Sequence, residues 1–394
     1  MLASSGRFGD AVVAAVAAVG LGGLATVLLT LPLKAGIRLG GLGLGIGALL
    51  VVPTMLLVVF YWRSGIPLDV QDGTFQTQIV ASRLLQGHDP YGTDFTHTEL
   101  VRWYAYPDGT ATPHHYIYYP LVILAAVPAV ALEQAFGLAA DVRPFQLILA
   151  GVAFLLIVRL PLGWKARWLL ATLLLLNPFF GWIEGRNDIL WIAPILAAVG
   201  VGLQGRWRAA AWLVGTAAAV KVFAIPFVLF LGTVLVVRWQ HGLLHRRGLW
   251  TSLLGLVVPL LATTVPFVLW NPAAFWDDTA GWVLDRGFPI YGFGLGQALL
   301  LTHLLPSPFT PFPFGLVQLG VGTPMLVLGI VAIIRRPTIE QALAAAGPLL
   351  AVLVLFGRFT MDSYIASLVF ILVLAMALSR RAGEPATSLQ SIAA

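Results

Sequence analysis

Apolar runs long enough to cross a lipid bilayer recur along the whole of this 394-residue chain, and no other feature limits its fold so tightly. About 20 apolar residues span the hydrocarbon core as a helix. Inside that core every backbone N–H and C=O needs a partner from the protein itself. The runs fall at about 11–33, 41–62, 117–136, 145–161, 168–183, 189–203, 209–220, 222–238, 249–270, 290–305, 315–334, 339–357 and 363–379. Several are too short for a straight crossing and read as half-helices, re-entrant hairpins or helices that end in a protein-lined cavity. About 10–13 transmembrane or re-entrant helices are expected. Long apolar blocks, rather than short alternating ones, exclude a transmembrane β-barrel. Composition agrees, with 59% hydrophobic and 10% charged residues against roughly 25% charged in a soluble domain. The expected class is an all-α polytopic membrane protein in the plasma membrane.

The charges sort the connecting turns into two sets. Lys34, Arg38, Arg159, Lys165, Arg167, Arg206, Arg208, Arg238, Arg246, Arg247, Arg335, Arg336, Arg380 and Arg381 lie in turns without acids, and they are 14 of the 23 basic residues. Such turns are expected on the cytoplasmic side, which also accounts for the net charge of +6 without a nucleic-acid partner. Segments 63–116, 184–188, 271–289 and 357–362 hold 12 of the 17 acids and are expected outside. The chain reads as one integral membrane domain: N-terminal helices at 11–62, an outer loop at 63–116, a helical bundle at 117–380 and a cytoplasmic tail at 381–394. One stretch breaks the alternation. Residues 117–161 look like two helices yet must cross an odd number of times, so either 117–136 is re-entrant or the loop assignment fails there. The absence of cysteine removes disulfides and thiolate chemistry. No cleavable signal is evident at the N-terminus.

The polar outer loops concentrate the chemistry. The first carries Asp69, Asp72, Asp89, Asp94, Glu99 and Asp108, four histidines including His114 and His115, and the aromatic series Trp103, Tyr104, Tyr106, Tyr116, Tyr118, Tyr119. Rings stack on pyranose faces while their polar tips bond hydroxyls; an interfacial aromatic belt is the plainer explanation. Residues 74–87 read as a short amphipathic helix lying in the interface. Asp72 stands just before it as a cap or near-cap acid, and Gly87 stops it. Glu184, Arg186 and Asp188 sit between two apolar runs, where charges either pair or work. Lys221 stands alone in some 25 apolar residues; it snorkels or holds a phosphate. Later loops add Asp277, Asp278, Asp285, Arg286, Arg358 and Asp362. Two adjacent aspartates are a weak metal signal.

Taken in order, these segments resemble the GT-C fold glycosyltransferases, and most closely the bacterial polyprenol-phosphate-mannose mannosyltransferases. Asp72 precedes "GHDPY" (87–91) by about fifteen residues. "YIYYP" (116–120), "PFFGWIEGRND" (178–188), "GTAAAVKVFAIP" (215–226) and "FPIYGFGLG" (288–296) follow. The likeness covers roughly residues 41–380. Arg186 stands where the family usually has glutamine, and the run at 11–33 precedes what looks like the family's first helix. The resemblance implies a GT-C-like bundle whose large first outer loop carries interfacial helices. It also implies transfer of a sugar, mannose first, from a polyprenyl-phosphate donor to a lipid or glycan acceptor on the outer membrane face, with inversion.

Inverting displacement needs one carboxylate as general base. Asp72 is the candidate, with Asp69 as the fallback. Lys221, Arg186 and Arg358 are the candidates for holding the departing phosphate. His114, His115, Tyr118, Asp188, Asp278 and Arg286 are assigned to the acceptor or sugar. No cofactor and no obligatory metal is expected, because cations can receive a lipid monophosphate. A secondary transporter, a ligase that uses lipid-linked oligosaccharide and a non-catalytic lipid-binding subunit are the alternatives.

Overall fold

The computed structural model describes residues 34–100, 114–281 and 289–382. The run at 11–33 and the tail from 383 lie outside them. Among the described residues the strands are β1 (Tyr291–Gly292) and β2 (Phe359–Thr360), paired in parallel with Tyr291 opposite Phe359. All other regular structure is helix, and the protein is an all-α polytopic membrane protein. Among the described residues, five helical stretches are long and apolar enough to cross a membrane: Gly36–Ser64, Val222–Gln240, Arg246–Trp270, Phe314–Arg335 and Asp362–Arg380.

The first crossing joins α1 (Ala35–Ile46) to α2 (Val52–Ser64) through a π turn at Gly47–Val51. Pro53 has no N–H to give the carbonyl four residues back, so the helical ladder widens beside it. Gly65, at φ +69°, ends α2. The amphipathic segment forms α3 (Asp72–Leu85), starting two residues earlier than its pattern predicts. Gln71, rather than Asp72, is the N-cap: its side-chain oxygen accepts the Thr74 N–H at 3.1 Å, and Asp72 is the first helical residue. α3 is more enclosed than an interfacial helix, since Thr74, Gln76, Thr77 and Gln78 are buried along with Phe75, Val80 and Ala81.

α4 (Pro120–Ala135) and α5 (Arg143–Arg159) settle the 117–161 stretch. α4 lies along α3. Before its start, Tyr118 covers Gly73 so closely that a Cβ there would fall 1.9 Å from the phenol oxygen. At its end, the Gln134 amide donates to Ser82 Oγ at 2.9 Å. Just beyond, Arg143 bonds the Leu68 carbonyl at 3.1 Å, which returns the chain to the foot of α3. Both ends of α4 therefore lie at one end of the bundle, and α5 alone runs to the other end. A similar correction applies to 290–305. Its helix, α12 (Gly294–Leu301), has eight residues, and the Ile290 N–H donates to the Pro308 carbonyl at 2.9 Å, so the segment loops back.

The remaining helices are α6 (Trp164–Leu175), α7 (Ile189–Leu203), α8 (Trp207–Val220), α9 (Ile225–Gln240), α10 (Arg246–Trp270), α11 (Pro272–Trp276), α13 (Phe314–Arg335), α14 (Ile339–Leu355) and α15 (Asp362–Ala382). α8 meets α10 at backbone distance. A Cβ on Gly215 would sit 2.2 Å from the Gly255 carbonyl, and one on Gly255 would strike the Trp212 ring at 2.6 Å. Small residues permit such approaches where apolar burial alone gives helices little reason to meet. α8 and α9 form a hairpin, because Arg238 near the end of α9 stacks over Trp207 at the start of α8, 4.5 Å from the ring centroid. The main core lies among α5 to α9, α14 and α15, around the fully buried Trp191.

The basic turns meet at one end of the bundle. Arg38 lies over Trp164 at 4.4 Å, and Arg238 donates to the Pro337 carbonyl at 3.2 Å. The acid-bearing loops meet at the other.

Candidate functional site

The acid-bearing end is organised by the turn between α6 and α7. Asn177 caps a 3₁₀ turn at Pro178–Phe180 by accepting the Phe179 N–H at 3.1 Å. Gly181 and Gly185 then take φ of +59° and +82°. At Gly185 the requirement is twofold, for a Cβ would also fall 2.7 Å from Arg143 Cγ. The first turn of α3 docks here. The Gln71 N–H donates to the Glu184 carbonyl at 2.8 Å, and the Thr74 hydroxyl donates to the Gly185 carbonyl.

Beneath lies a fully buried ion pair. Arg143 Nη2 meets Asp141 Oδ2 at 2.6 Å, and Nε bonds both carboxylate oxygens at 3.0 Å. The remaining Arg143 nitrogen, Nη1, reaches the Leu68 carbonyl at 3.1 Å and the Ile183 carbonyl at 3.5 Å. One guanidinium thus joins the two loops that bear Asp72 and Glu184. Glu133 completes the layer by accepting the Asp141 N–H at 2.6 Å. Burial pushes its carboxyl up to about 7, helped by the nearby Asp141 charge and opposed by that hydrogen bond.

Above this layer stands a cluster of charges. Lys221 occupies the tip of the α8–α9 hairpin in extended conformation, where α8 has ended and Pro226 shapes the first turn of α9. Its ammonium meets Asp188 Oδ1 at 2.6 Å; the lysine side chain is 13% exposed and the aspartate 2%. It also lies over the rings of Tyr364 and Phe223, 4.5 and 5.2 Å from their centroids. Arg186 contacts Glu184 at 3.2 Å, the Phe179 carbonyl at 3.3 Å, and Asp362. The Tyr364 ring, which also packs edge-on against Phe223 with centroids 4.6 Å apart, lies two residues beyond Asp362 and so brings the start of α15 to the Lys221 end of the cluster. Among the described residues Arg186 thus pairs with Glu184 and Asp362, and Lys221 with Asp188. Lysine has three N–H donors, of which Asp188 takes one. Arg186 Nη2 has no partner among the described residues.

The residues singled out from the sequence divide in space. Asp72, Lys221, Arg186 and Asp188 converge. Tyr118 adjoins them through Gly73. Asp69 is exposed in a left-handed turn with φ +46° and joins no ion pair among the described residues. Arg358 stands apart, donating to the Pro308 carbonyl at 3.2 Å beside the β1–β2 pair. His114 is half-exposed, 3.6 Å from Asp94. His115 and Asp278 pair with each other at 3.1 Å. Arg286 lies outside the described residues. Sequence reasoning missed Tyr364, Asp141 and Arg143 as parts of the site. Asp362 and Tyr364 open α15 within "GRFTMDSY", and an acid and a phenol at the start of a crossing were the available signal.

No protein-family description and no curated protein matches the chain.

Proposed function

We propose that the protein is a membrane glycosyltransferase that moves a sugar from a polyprenyl-phosphate donor to a lipid or glycan hydroxyl, with inversion, at the extracytoplasmic face of the plasma membrane. Mannose is the first sugar to test. One arrangement carries the reading: the first turn of α3, which bears Asp72, docks on the turn that bears Glu184 and Arg186, and Lys221 meets Asp188 at the end of that same turn. Asp72 accepts the proton of the attacking hydroxyl as it adds to the anomeric carbon. The bond to phosphate breaks on the opposite face, and the phosphate leaves on its lipid. Lys221 and Arg186 offer it their remaining N–H groups.

A secondary transporter is the second reading. Its substrate sites are commonly built on discontinuous helices. Lys221 instead sits at the tip of a hairpin, which weighs against it.

The experiment is a transfer assay with purified protein and labelled polyprenyl-phosphate sugars. Asp72→Asn is expected to lower turnover about 10²–10⁴-fold, the range of a positioned base, with donor binding kept. Lys221→Ala is expected to weaken donor binding. Substantial turnover in Asp72→Asn refutes the base assignment, and unchanged donor affinity in Lys221→Ala refutes the phosphate role. Uptake into proteoliposomes without transfer establishes the transporter.

A further inference from the structure

Away from the Asp72 centre, His115 and two neighbouring acids converge from segments far apart in sequence. His115 lies in the extended stretch before α4, whereas Asp277 and Asp278 open a π turn directly after α11. One ligand atom from each residue lies within 4.8 Å of the others. His115 Nδ1 is 3.1 Å from Asp278 Oδ1 and 3.6 Å from Asp277 Oδ2. Ligands bound about 2.0–2.2 Å from one metal ion stand about 3.0–3.5 Å apart when adjacent, so these separations suit coordination as well as they suit hydrogen bonding.

The charges call for a cation. Asp278 is 1% exposed, and among the described residues neither aspartate is ion-paired to lysine or arginine. Even a charged imidazole leaves one of two carboxylates uncompensated. A buried carboxylate needs hydrogen-bonding or charged partners, and a metal ion shared with His115 and Asp277 is one that this arrangement suits. Asp278 is also oriented from behind: the Gly92 N–H donates to Oδ2 at 2.8 Å and turns Oδ1 toward His115. Such outer-shell bonds fix a carboxylate for ligation. Asp277 is 66% exposed, which opens the cluster to solvent and gives an ion a way in.

We propose that His115, Asp277 and Asp278 bind one divalent transition-metal ion, of the Zn²⁺ or Mn²⁺ class that suits a mixed imidazole and carboxylate set. The ion ties the stretch 114–119, whose Tyr118 covers Gly73 beside Asp72, to the turn after α11. Its role is structural and independent of the transferase reading.

The test uses the full chain in detergent, stripped with chelator and titrated with Mn²⁺. Binding is followed by electron paramagnetic resonance and calorimetry. One saturable site is expected, with a nitrogen modulation in the pulsed spectrum from an imidazole ligand. Asp277→Asn, chosen because its side chain is exposed, is expected to weaken binding at least tenfold while the unfolding temperature without metal stays as in the wild type. His115→Gln is expected to abolish the nitrogen signal. No saturable binding, a bound ion without nitrogen coupling, or an Asp277→Asn variant that binds like the wild type overturns the proposal and leaves an ordinary histidine–aspartate pair.

Discussion

Replacing Asp141 with asparagine isolates the buried pair beneath the site. Arg143 and Asp141 are both 0% exposed. The guanidinium makes three contacts to the carboxylate, at 2.6, 3.0 and 3.0 Å, and two to the Leu68 and Ile183 carbonyls. Asparagine keeps the shape and one acceptor but removes the charge. A buried cation left without its counter-ion costs about 3–5 kcal/mol. Replacing both partners by apolar residues of similar volume costs far less, because no charge is then stranded. Here that double change also frees two carbonyls and the Arg143 N–H, at about 1 kcal/mol each. The expected order of stability is wild type, then Asp141→Leu with Arg143→Met about 3 kcal/mol lower, then Asp141→Asn alone, lowest. At about 2 °C per kcal/mol for a long chain, Asp141→Asn should lower the unfolding midpoint by roughly 6–10 °C in a thermal scan of detergent-solubilised protein at fixed rate. An Asp141→Asn midpoint within about 2 °C of wild type would refute the view that this pair is dry and strongly coupled.

Three further outcomes follow from the same layer, from the turn above it and from the contact between α8 and α10. Gly185→Ala should destabilise by about 1–3 kcal/mol, because the residue sits at φ +82° and its new methyl would press on Arg143; a variant as stable as wild type in the same scan removes that account. Glu133→Gln should raise stability at pH 8 by about 2–4 kcal/mol. The Glu133 carboxyl titrates near 7 when folded and near 4.3 when unfolded, so it costs stability as pH rises through that window. The amide removes the cost and should flatten the pH dependence between about 4.5 and 7. Identical pH profiles for wild type and variant would show that Glu133 is solvated. Gly215→Leu should separate α8 from α10, which touch at the Gly255 carbonyl, and cost at least about 1–3 kcal/mol; retention of the wild-type midpoint would show that the contact yields cheaply.

Much of this architecture was legible in the sequence, for a simple reason. Apolar runs declare membrane helices through their length, and acids and bases declare loops through the cost of burying them. Lys221, Arg186, Asp188 and Asp72 could each be picked out because each is a charge beside greasy sequence, where nature places few. The sequence could not convey that Lys221 meets Asp188, 33 residues earlier, since pairing depends on the hairpin turn. Arg143 and Asp141 escaped notice because they resemble an ordinary loop between two apolar runs; only folding buries them. Arg358 misled in the opposite way. It is near Asp362 in sequence, but the β1–β2 pair draws it toward Pro308.

The way α4 lies along α3 reaches well beyond its own sixteen residues. Hydropathy alone would count it as a passage through the bilayer, and every segment from α5 to α11 would then be drawn upside down. Because it turns back, the turns that hold Arg159 and Arg238 come out at the same end of the bundle as Arg38, and a single greasy helix that never traverses decides which end each later loop occupies.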